Sequence, residues 1–460
     1  MRKLYIIGGL LLLVFLGLNA CRETHPFTEG DMDERLSGGD TYTIFDGSSS
    51  AFSTMIAGMS SRDEFVHAVG DKFFESKFVS APAPVNPGLG PVFNNTSCSG
   101  CHQRDGRGRP PFAGESLRAM LFRISIPGAA ADGGPNPVPG FGTQLQDKAI
   151  AGAHPEADVS LQYTEKTVTL ADGTTLSLRI PHYTVTNPYH PLPANLLLSP
   201  RIATQTVGVG LIDAIPDAEI LSHADPDDAD HDGISGRANQ IYDPTLHKAA
   251  IGRFGWKANV ATLKVQVASA FQQDMGITNY VFPEESSAGQ SQLPVQETGI
   301  DLPDSVLNAV VFYMRTLAVP ARRNINDMTN RHGAAVFQQI GCAKCHVTTF
   351  TTRVDVTFPL LSNQVIHPYS DFLLHDMGPE LGDGRPDYEA GPNEWRTAPL
   401  WGIGLTEKVS GYAYYMHDGR ARTLTEAILW HGGEGEQSRE SFKELDQADR
   451  DALISFLNSL

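Results

Sequence analysis

Cys98-Ser99-Gly100-Cys101-His102 and Cys342-Ala343-Lys344-Cys345-His346 are the two stretches that decide the fold of this 460-residue chain. Both have the pattern C-x-x-C-H, and together they contain four of the five cysteines. In a helical turn, this spacing places both sulfurs on one side, and the histidine follows directly. The pattern is typical of covalent haem c attachment, in which the sulfurs form thioethers and the histidine binds the iron.

A zinc site and two disulfides are the other interpretations of these four cysteines. A single zinc site is disfavoured because its cysteine pairs are usually about 15–20 residues apart, whereas here more than half of the chain separates them. Two disulfides would leave both following histidines unexplained. The sequence therefore favours two covalently bound haem c groups.

The N-terminal segment, residues 1–20, has the pattern of a lipoprotein signal peptide. Arg2 and Lys3 precede a largely apolar run that is shorter than the ~20 residues of a membrane-spanning helix. The run ends in Leu18-Asn19-Ala20-Cys21, which resembles the bacterial lipobox. We expect lipidation of Cys21 and a tether over residues 21–59; a short membrane anchor is the alternative. The protein is then exported and lipid-anchored to a bacterial membrane, facing the periplasm or cell surface.

The composition excludes two broad classes of protein. A total of 35 Lys and Arg against 53 Asp and Glu gives a formal net charge of −18, which disfavours nucleic acid as a partner. Hydrophobic residues make up 41% of the chain, enough for packed cores, so wholesale disorder is excluded.

Segments with the apolar periodicity of a helix lie before and after both haem motifs. Segments containing Gly70 and Gly333 precede them, and an amphipathic helix ends each unit. The apolar positions of these two closing helices are Leu307, Val310, Val311, Met314 and Leu317 in the first, and Leu453, Phe456, Leu457 and Leu460 in the second. We predict a mainly α fold with two cytochrome c-like domains, residues 60–319 and 331–460.

The segment from about residue 105 to residue 250 is additional to the length of a minimal cytochrome c domain. Lys166–Leu170 and Thr174–Ile180 alternate apolar and polar residues around the turn sequence Asp172-Gly173. We therefore predict a large, loop-rich and partly β insertion that contains a hairpin.

An aspartate-rich loop in the insertion matches the start of a calcium-binding loop. Asp228, Asp230 and Asp232 occupy positions 1, 3 and 5, and a glycine follows at position 6. The Ile234 carbonyl falls at position 7, and Asn239 replaces the usual acidic residue at position 12. We predict a structural calcium site; the alternative is a solvated acidic turn.

Several motifs together resemble one family, the di-haem c-type oxidoreductases that include peroxidase-like and "thiol oxidoreductase-like" proteins. These are in turn distantly similar to bacterial di-haem cytochrome c peroxidases and to the di-haem enzyme of methylamine utilisation. The similarity extends over roughly residues 60–460. The matching segments are Asp232–Asn239, Gly255–Ala258, Asp274–Asn279, Leu374–Gly378, Trp395–Thr397, Met416–Arg420 and Ala427–Gly433.

The resemblance implies a second ligand for the C-terminal haem. In the relatives this ligand lies fourteen positions after the histidine of an H-D-G motif, which here leads from His417 to His431. The pair His346 and His431 would make this haem six-coordinate and suited to electron transfer. Met377 and Met416 are the rival ligands.

The resemblance also implies catalytic residues at the N-terminal haem. It places Trp256 between the haems and assigns Gln266 and Asp274 to the open side of the first haem. An acid/base group and a polar group there would assist cleavage of the peroxide bond. Six histidines in or near the insertion remain open as candidates for a closing ligand: His154, His182, His190, His223, His231 and His247.

We therefore expect a di-haem c oxidoreductase that accepts electrons at the C-terminal haem from a cytochrome or other redox protein. The electrons pass to the N-terminal haem and reduce hydrogen peroxide there. The alternatives are a non-catalytic electron-transfer cytochrome, with both irons closed, and an oxidase that acts on a partner protein.

Overall fold

The computed structural model describes residues 34–112, 114–293 and 299–460. The predicted signal peptide and the lipidation site Cys21 lie outside these ranges. Among the helices within them, none has both the length and the apolar character that crossing a membrane requires.

Short helices and short strands alternate along the described chain. The helices are α1 Gly39–Tyr42, α2 Ser61–Glu75, α3 Cys98–Cys101, α4 Val209–Ala214, α5 Asp217–Leu221, α6 Leu263–Met275, α7 Asp304–Arg315, α8 Met328–Gln339, α9 Thr406–Ser410, α10 Leu424–Leu429, α11 Glu436–Glu444 and α12 Gln447–Ser459. Turns of 3-10 helix lie at Ala51–Ser53, Gln103–Asp105, Cys342–Lys344, Pro359–Leu361, Ile403–Leu405 and Gly433–Gly435.

Most of the strands form two-stranded sheets. They are β1 Thr43–Ile44, β2 Val92–Phe93, β3 Met120–Ala129, β4 Pro135–Asn136, β5 Gln144–Leu145, β6 Lys148–Ala149, β7 Asp158–Thr169, β8 Thr175–Thr186, β9 Leu197–Ile202, β10 Gln240–Asp243, β11 Lys248–Ile251, β12 Val319–Pro320, β13 Phe350–Thr351, β14 Val365–Ile366, β15 Leu374–Asp376 and β16 Glu394–Arg396. With 29% helix and 20% strand, the fold is mixed, so the prediction of a mainly α chain holds only in part.

Two helix pairs repeat the same close crossing, one pair before residue 319 and the other after it. A Cβ added to Gly70 of α2 would lie 2.1 Å from the Ala309 carbonyl oxygen of α7. A Cβ added to Gly333 of α8 would lie 1.9 Å from the Ala452 carbonyl oxygen of α12. Only glycine allows the backbones to approach this closely. The helix that precedes each haem motif is thereby packed against the predicted closing helix.

The predicted hairpin is confirmed and is longer than expected. Strands β7 and β8 pair antiparallel without a break from Asp158↔Thr186 to Thr169↔Thr175. The Arg179 side chain donates to the Gly419 carbonyl at 3.2 Å, and the Ala171 N–H donates to the Lys443 carbonyl at 3.0 Å. The hairpin of the insertion is therefore fastened to the C-terminal part of the chain.

The insertion also shares a hydrophobic core with the C-terminal helices. Phe122 of β3 and Leu178 of β8 belong to the same buried cluster as Phe337 of α8 and Leu453 of α12. A separate buried cluster contains Phe271 of α6 together with residues of α2 and α7. The proposed domain boundaries at residues 60, 319 and 331 remain a prediction.

Replacing Gly333 by Ala tests the crossing of α8 and α12. Because the added Cβ overlaps a backbone carbonyl, the helices must separate, and we expect the free energy of unfolding to fall by about 2 kcal/mol or more. Chemical denaturation measures the change. Gly299→Ala is the control, since a Cβ there meets no atom within 4 Å and the backbone φ is not positive. Equal stability of the two variants would contradict the close packing.

Candidate functional site

Each C-x-x-C-H motif forms a single helical turn. In the first, Ser97 caps the turn that begins at Cys98, and the His102 N–H donates to the Cys98 carbonyl at 2.9 Å. In the second, the His346 N–H donates to the Cys342 carbonyl at 3.0 Å. The two sulfurs and the imidazole of each motif consequently line one cavity.

Both motif histidines are held in the same tautomer. The Nδ1 of His102 donates to the Thr204 carbonyl at 2.7 Å, and the Nδ1 of His346 donates to the Tyr369 carbonyl at 2.8 Å. Because a carbonyl oxygen only accepts, Nδ1 carries the hydrogen and the Nε2 lone pair remains available for a metal. Burial lowers the pKa of both imidazoles, that of His346 to about 4. Both are therefore neutral, as ligation of iron requires.

The cysteines fit covalent haem better than either alternative. Each pair lines its own cavity, which argues against one shared zinc site, and none of the four is in a disulfide. Burial raises the pKa of the Cys101 and Cys342 thiols to about 12, whereas zinc requires thiolates. Both cavities are lined mainly by apolar side chains. Two thiols, a neutral imidazole and an apolar enclosure suit a thioether-linked haem.

One wall separates the two cavities, and Trp256 lies in it. The Trp256 side chain is only 7% exposed, and its indole N–H donates to the Ile202 carbonyl at 2.8 Å. The residues that line both cavities are Arg107, Gln205, Trp256, Arg396, Ala398 and Pro399. A π-system at this position offers a short path between groups bound on either side.

Gln266 and Asp274 both lie on α6 and line the first cavity. An Asp274 carboxylate oxygen accepts a hydrogen bond from the Gln144 amide at 2.8 Å. Burial raises the pKa of Asp274, although the nearby Arg123 partly opposes this effect. The carboxyl group is therefore a protonatable group inside the cavity that contains Cys98 and Cys101.

The first cavity contains no second histidine among the described residues. All six histidines considered as closing ligands lie elsewhere; His182, for example, is hydrogen-bonded to Thr164 on the exposed hairpin, and His223 packs against Phe350. Three methionines line the cavity instead: Met120, Met275 and Met314.

The second cavity contains a second histidine at the predicted position. His431 follows α10, and its Nδ1 donates to the Ala427 carbonyl at 2.8 Å, which leaves Nε2 free as in the two motif histidines. His431 is close enough to His346 to affect its pKa. The rivals Met377 and Met416 line the same cavity. The structure thus brings all the predicted ligands of this site together.

Sequence reasoning missed a buried charge cluster beside Cys345. His375 lies between two carboxylates, with Nε2 2.8 Å from Asp371 and Nδ1 2.6 Å from Glu434. Burial alone would lower the pKa of His375, but these hydrogen bonds raise it well above its usual value. The local signals were the i,i+4 spacing of Asp371 and His375 and the position of His375 in the family-matching segment Leu374–Gly378.

A series of aromatic contacts connects Trp256 of the wall with rings that line the second cavity. The imidazole of His417 stacks on Trp395 with 3.7 Å between ring centroids, and it meets the Trp256 ring edge-on at 6.5 Å. The ammonium of Lys257 lies 4.6 Å from the Trp395 ring and forms an ion pair with Asp383. The H-D-G histidine therefore lines the second cavity and packs against Trp256 of the wall.

The predicted calcium ligands are only partly assembled. The carboxylate oxygens of three acidic residues lie within 4.8 Å of one another: Asp225, Asp228 and Asp230. Asp232 instead pairs with Lys344 of the second haem motif at 3.0 Å, and Ile234 lines the second cavity. The Asn239 amide is fully buried and donates to the Lys257 and Asp387 carbonyls, so it is not directed at the aspartates. Calcium binding remains a prediction.

Two adjacent cavities, each with a thiol pair and an imidazole competent for metal binding, are consistent with a di-haem protein. The chain belongs to the family described as "Di-haem oxidoreductase, putative peroxidase", which it matches over residues 31–460. The resemblance inferred from the sequence is thereby confirmed. No curated protein matches the chain significantly.

Two solved structures show weak likeness. One is the hydrazine synthase of Kuenenia stuttgartiensis pressurised with xenon, with 20% identity and a TM-score of 0.23 over 34% of this chain and 56% of that chain. This chain thus spans little more than half of that protein's length. The other is a MauG-like protein associated with microbial copper homeostasis, with 14% identity and a TM-score of 0.27 over 55% of this chain and 89% of that chain. The assignment rests on the family match.

Replacing His431 by Gly tests the ligand set of the second cavity. If His431 binds the iron of a haem held by Cys342 and Cys345, its loss removes a strong-field ligand, and we expect absorption of that haem to change from low spin to high spin. Optical and paramagnetic resonance spectra of the ferric protein measure this. His190→Gly, an exposed histidine, is the control. High spin in Met377→Ala or Met416→Ala, with His431→Gly unchanged, would identify another ligand.

Proposed function

We propose that this protein is an exported, lipid-anchored di-haem c oxidoreductase that reduces hydrogen peroxide. Electrons from a donor cytochrome or other redox protein pass from the C-terminal haem to the N-terminal haem. The observation that carries the proposal is the half-buried carboxyl group of Asp274, which lies in the cavity of His102, where the described residues offer no second histidine. A cavity of this kind combines room for a ligand with a means of moving protons.

The two haems supply one-electron redox chemistry, and the chain positions them. In our proposal Cys98 and Cys101 hold one haem, and Cys342 and Cys345 hold the other. Reduction of one hydrogen peroxide to two waters consumes two electrons and two protons. The first cavity must therefore deliver protons as well as electrons.

Asp274 is proposed to take a proton from one peroxide oxygen and to return it to the other. Such a group works best when its pKa is near the working pH, and burial shifts Asp274 in that direction. Gln266 makes no side-chain hydrogen bond with the described residues, so its amide is available to hydrogen-bond the departing oxygen.

The second site is proposed to be closed and to serve electron transfer. His346 and His431 would hold the iron, and the Nδ1 of each donates to a main-chain carbonyl. Fixed ligands limit the rearrangement that accompanies a change of oxidation state. Trp256, in the wall between the cavities, is proposed to bridge the two haems electronically.

Export and anchoring are proposed from the sequence. The signal pattern of residues 1–20 and the lipobox cysteine Cys21 would hold the mature chain at a bacterial membrane. Haem attached through thioethers suits such a location because the cofactor is not lost by dissociation.

A non-catalytic electron-transfer cytochrome is the second candidate, and the methionines of the first cavity favour it. Met120, Met275 and Met314 each bring a thioether sulfur that can bind haem iron. If one of them bound the iron of the first haem as a second protein ligand, peroxide would have no coordination site there.

The spin state of the purified ferric protein decides between the two candidates. We expect a high-spin fraction from the first haem, because the described residues provide only His102 as a histidine of its cavity, and we expect addition of hydrogen peroxide to change that signal. Absorption and paramagnetic resonance titrations measure it, and Met275→Ala and Met314→Ala serve as comparison variants. If both haems are low spin and their spectra do not change on addition of peroxide in any redox state, the peroxidase proposal is overturned.

Replacing Asp274 by Asn tests proton transfer. We expect turnover of peroxide to fall by about 10²- to 10⁴-fold at unchanged haem content. Since the carboxylate must be ionised to take the first proton, kcat/KM of the natural protein should rise with pH. Its midpoint should lie above the ordinary aspartate value of about 3.9 because burial raises the pKa. The variant should lack this rise.

Asp147→Asn is the matched control for that measurement. Burial also raises the pKa of Asp147, but this carboxylate pairs with Lys148 at 2.8 Å and does not line the first cavity. Turnover by Asp274→Asn that equals that of the control would remove Asp274 from the mechanism.

A further inference from the structure

Two arginines lie in the wall between the cavities and are almost completely buried. Arg107 is 8% exposed and Arg396 is 7% exposed, and both line the first and the second cavity. Both lie beside Trp256. The Arg107 guanidinium is 5.8 Å from the centroid of the Trp256 ring, and the main-chain N–H of Arg396 donates to the Trp256 carbonyl at 2.9 Å. Two positive charges are therefore concentrated where the cavities meet.

Neither guanidinium has a carboxylate partner within the described chain. The Arg107 side chain makes no hydrogen bond there, and its Nε is buried without a partner. Arg396 donates only to main-chain carbonyls, to Gly255 at 2.9 Å and to Thr397 at 3.0 Å. Both therefore retain N–H groups that the protein does not satisfy.

Other arginines of these cavities are compensated. Arg201 pairs with Asp387 at 2.9 Å, and Arg253 pairs with Asp217. Arg107 and Arg396, by contrast, form no ion pair with the described residues, although the Asp371 carboxylate is an electrostatic neighbour of Arg396.

An uncompensated buried charge is costly. Removing an ion from water carries a desolvation penalty that persists even after the protein relaxes. The Trp256 and Tyr415 rings, whose centroids lie 5.8 and 5.7 Å from the Arg107 guanidinium, offset part of this penalty but provide no hydrogen-bond acceptor in the plane of the guanidinium. Burial lowers the pKa of Arg396 to about 10, which reflects the same cost. An anion from outside the chain would remove the imbalance.

We propose that Arg107 and Arg396 bind the propionate carboxylates of the haems in both cavities. Each haem has two propionates, and the planar guanidinium donates two parallel hydrogen bonds to a carboxylate. Arginines shared by the two cavities would fix the haems relative to each other and to Trp256, and would stabilise the reduced form of both. The inference rests on haem binding in the proposed function and not on peroxide reduction.

Arg107→Gln and Arg396→Gln test the inference through the reduction potentials of the two haems. Because a positive charge beside both propionate groups is lost, we expect the equilibrium constant for reduction of each haem to fall at least tenfold, about 59 mV. Spectroelectrochemical titration measures both values. Arg253→Gln is the control: it lines only the first cavity and already has a partner, so the second haem should not change.

Resonance Raman bands of the propionates provide a readout that a purely structural role would not move. We expect them to shift in both glutamine variants. If Arg107→Gln does not accumulate, Arg107→Lys keeps the charge but loses the paired hydrogen bonds. Its bands should shift while the equilibrium constants for reduction remain within tenfold of the natural protein.

Unchanged bands and potentials, or an effect on one haem only, would overturn the shared binding site. A natural protein that contains no haem would overturn the proposed function together with this inference. A third outcome is a haem-containing protein that does not turn over peroxide while Arg107→Gln still changes its reduction potentials. That result would support the inference and contradict only the proposed peroxidase activity.

Discussion

In both cavities a main-chain carbonyl accepts the Nδ1 hydrogen of a buried histidine, from His102 in one and His346 in the other. This single hydrogen bond fixes the tautomer, orients the ring and leaves one lone pair for a metal. His431 repeats it with the carbonyl of its own helix. The carbonyls belong to segments distant from the motifs or to a helix end, so the surrounding fold is needed to make each imidazole a ligand.

Aromatic and cationic side chains lie together in and beside the wall between the cavities. Trp256, His417 and Trp395 form a continuous set of rings, and cationic side chains lie against them. A cation over an indole makes that ring harder to oxidise. In the proposed function, such a wall would convey electrons between the two haems and would not itself hold a long-lived radical.

Local patterns predicted the parts that depend on local interactions. The C-x-x-C-H spacing located both cavities, and Asp172-Gly173 located the hairpin turn. The full length of the hairpin was missed because its outer residues are polar and largely exposed. The mainly α prediction ignored pairings such as β1 with β12, which join distant residues without any periodic signal. Arg107 and Arg396 come from opposite halves of the chain, so only the folded structure reveals that they line the same two cavities.

The hairpin fastened to the C-terminal segment has an evolutionary consequence. Its strands contribute to the hydrophobic cluster of α8 and α12, and its turn is hydrogen-bonded to Lys443. The C-terminal half is therefore not a free-standing cytochrome joined to a partner by a flexible hinge. Gene fission between the halves would expose apolar surface on both products, which favours inheritance of the two redox centres as one unit with a constant separation.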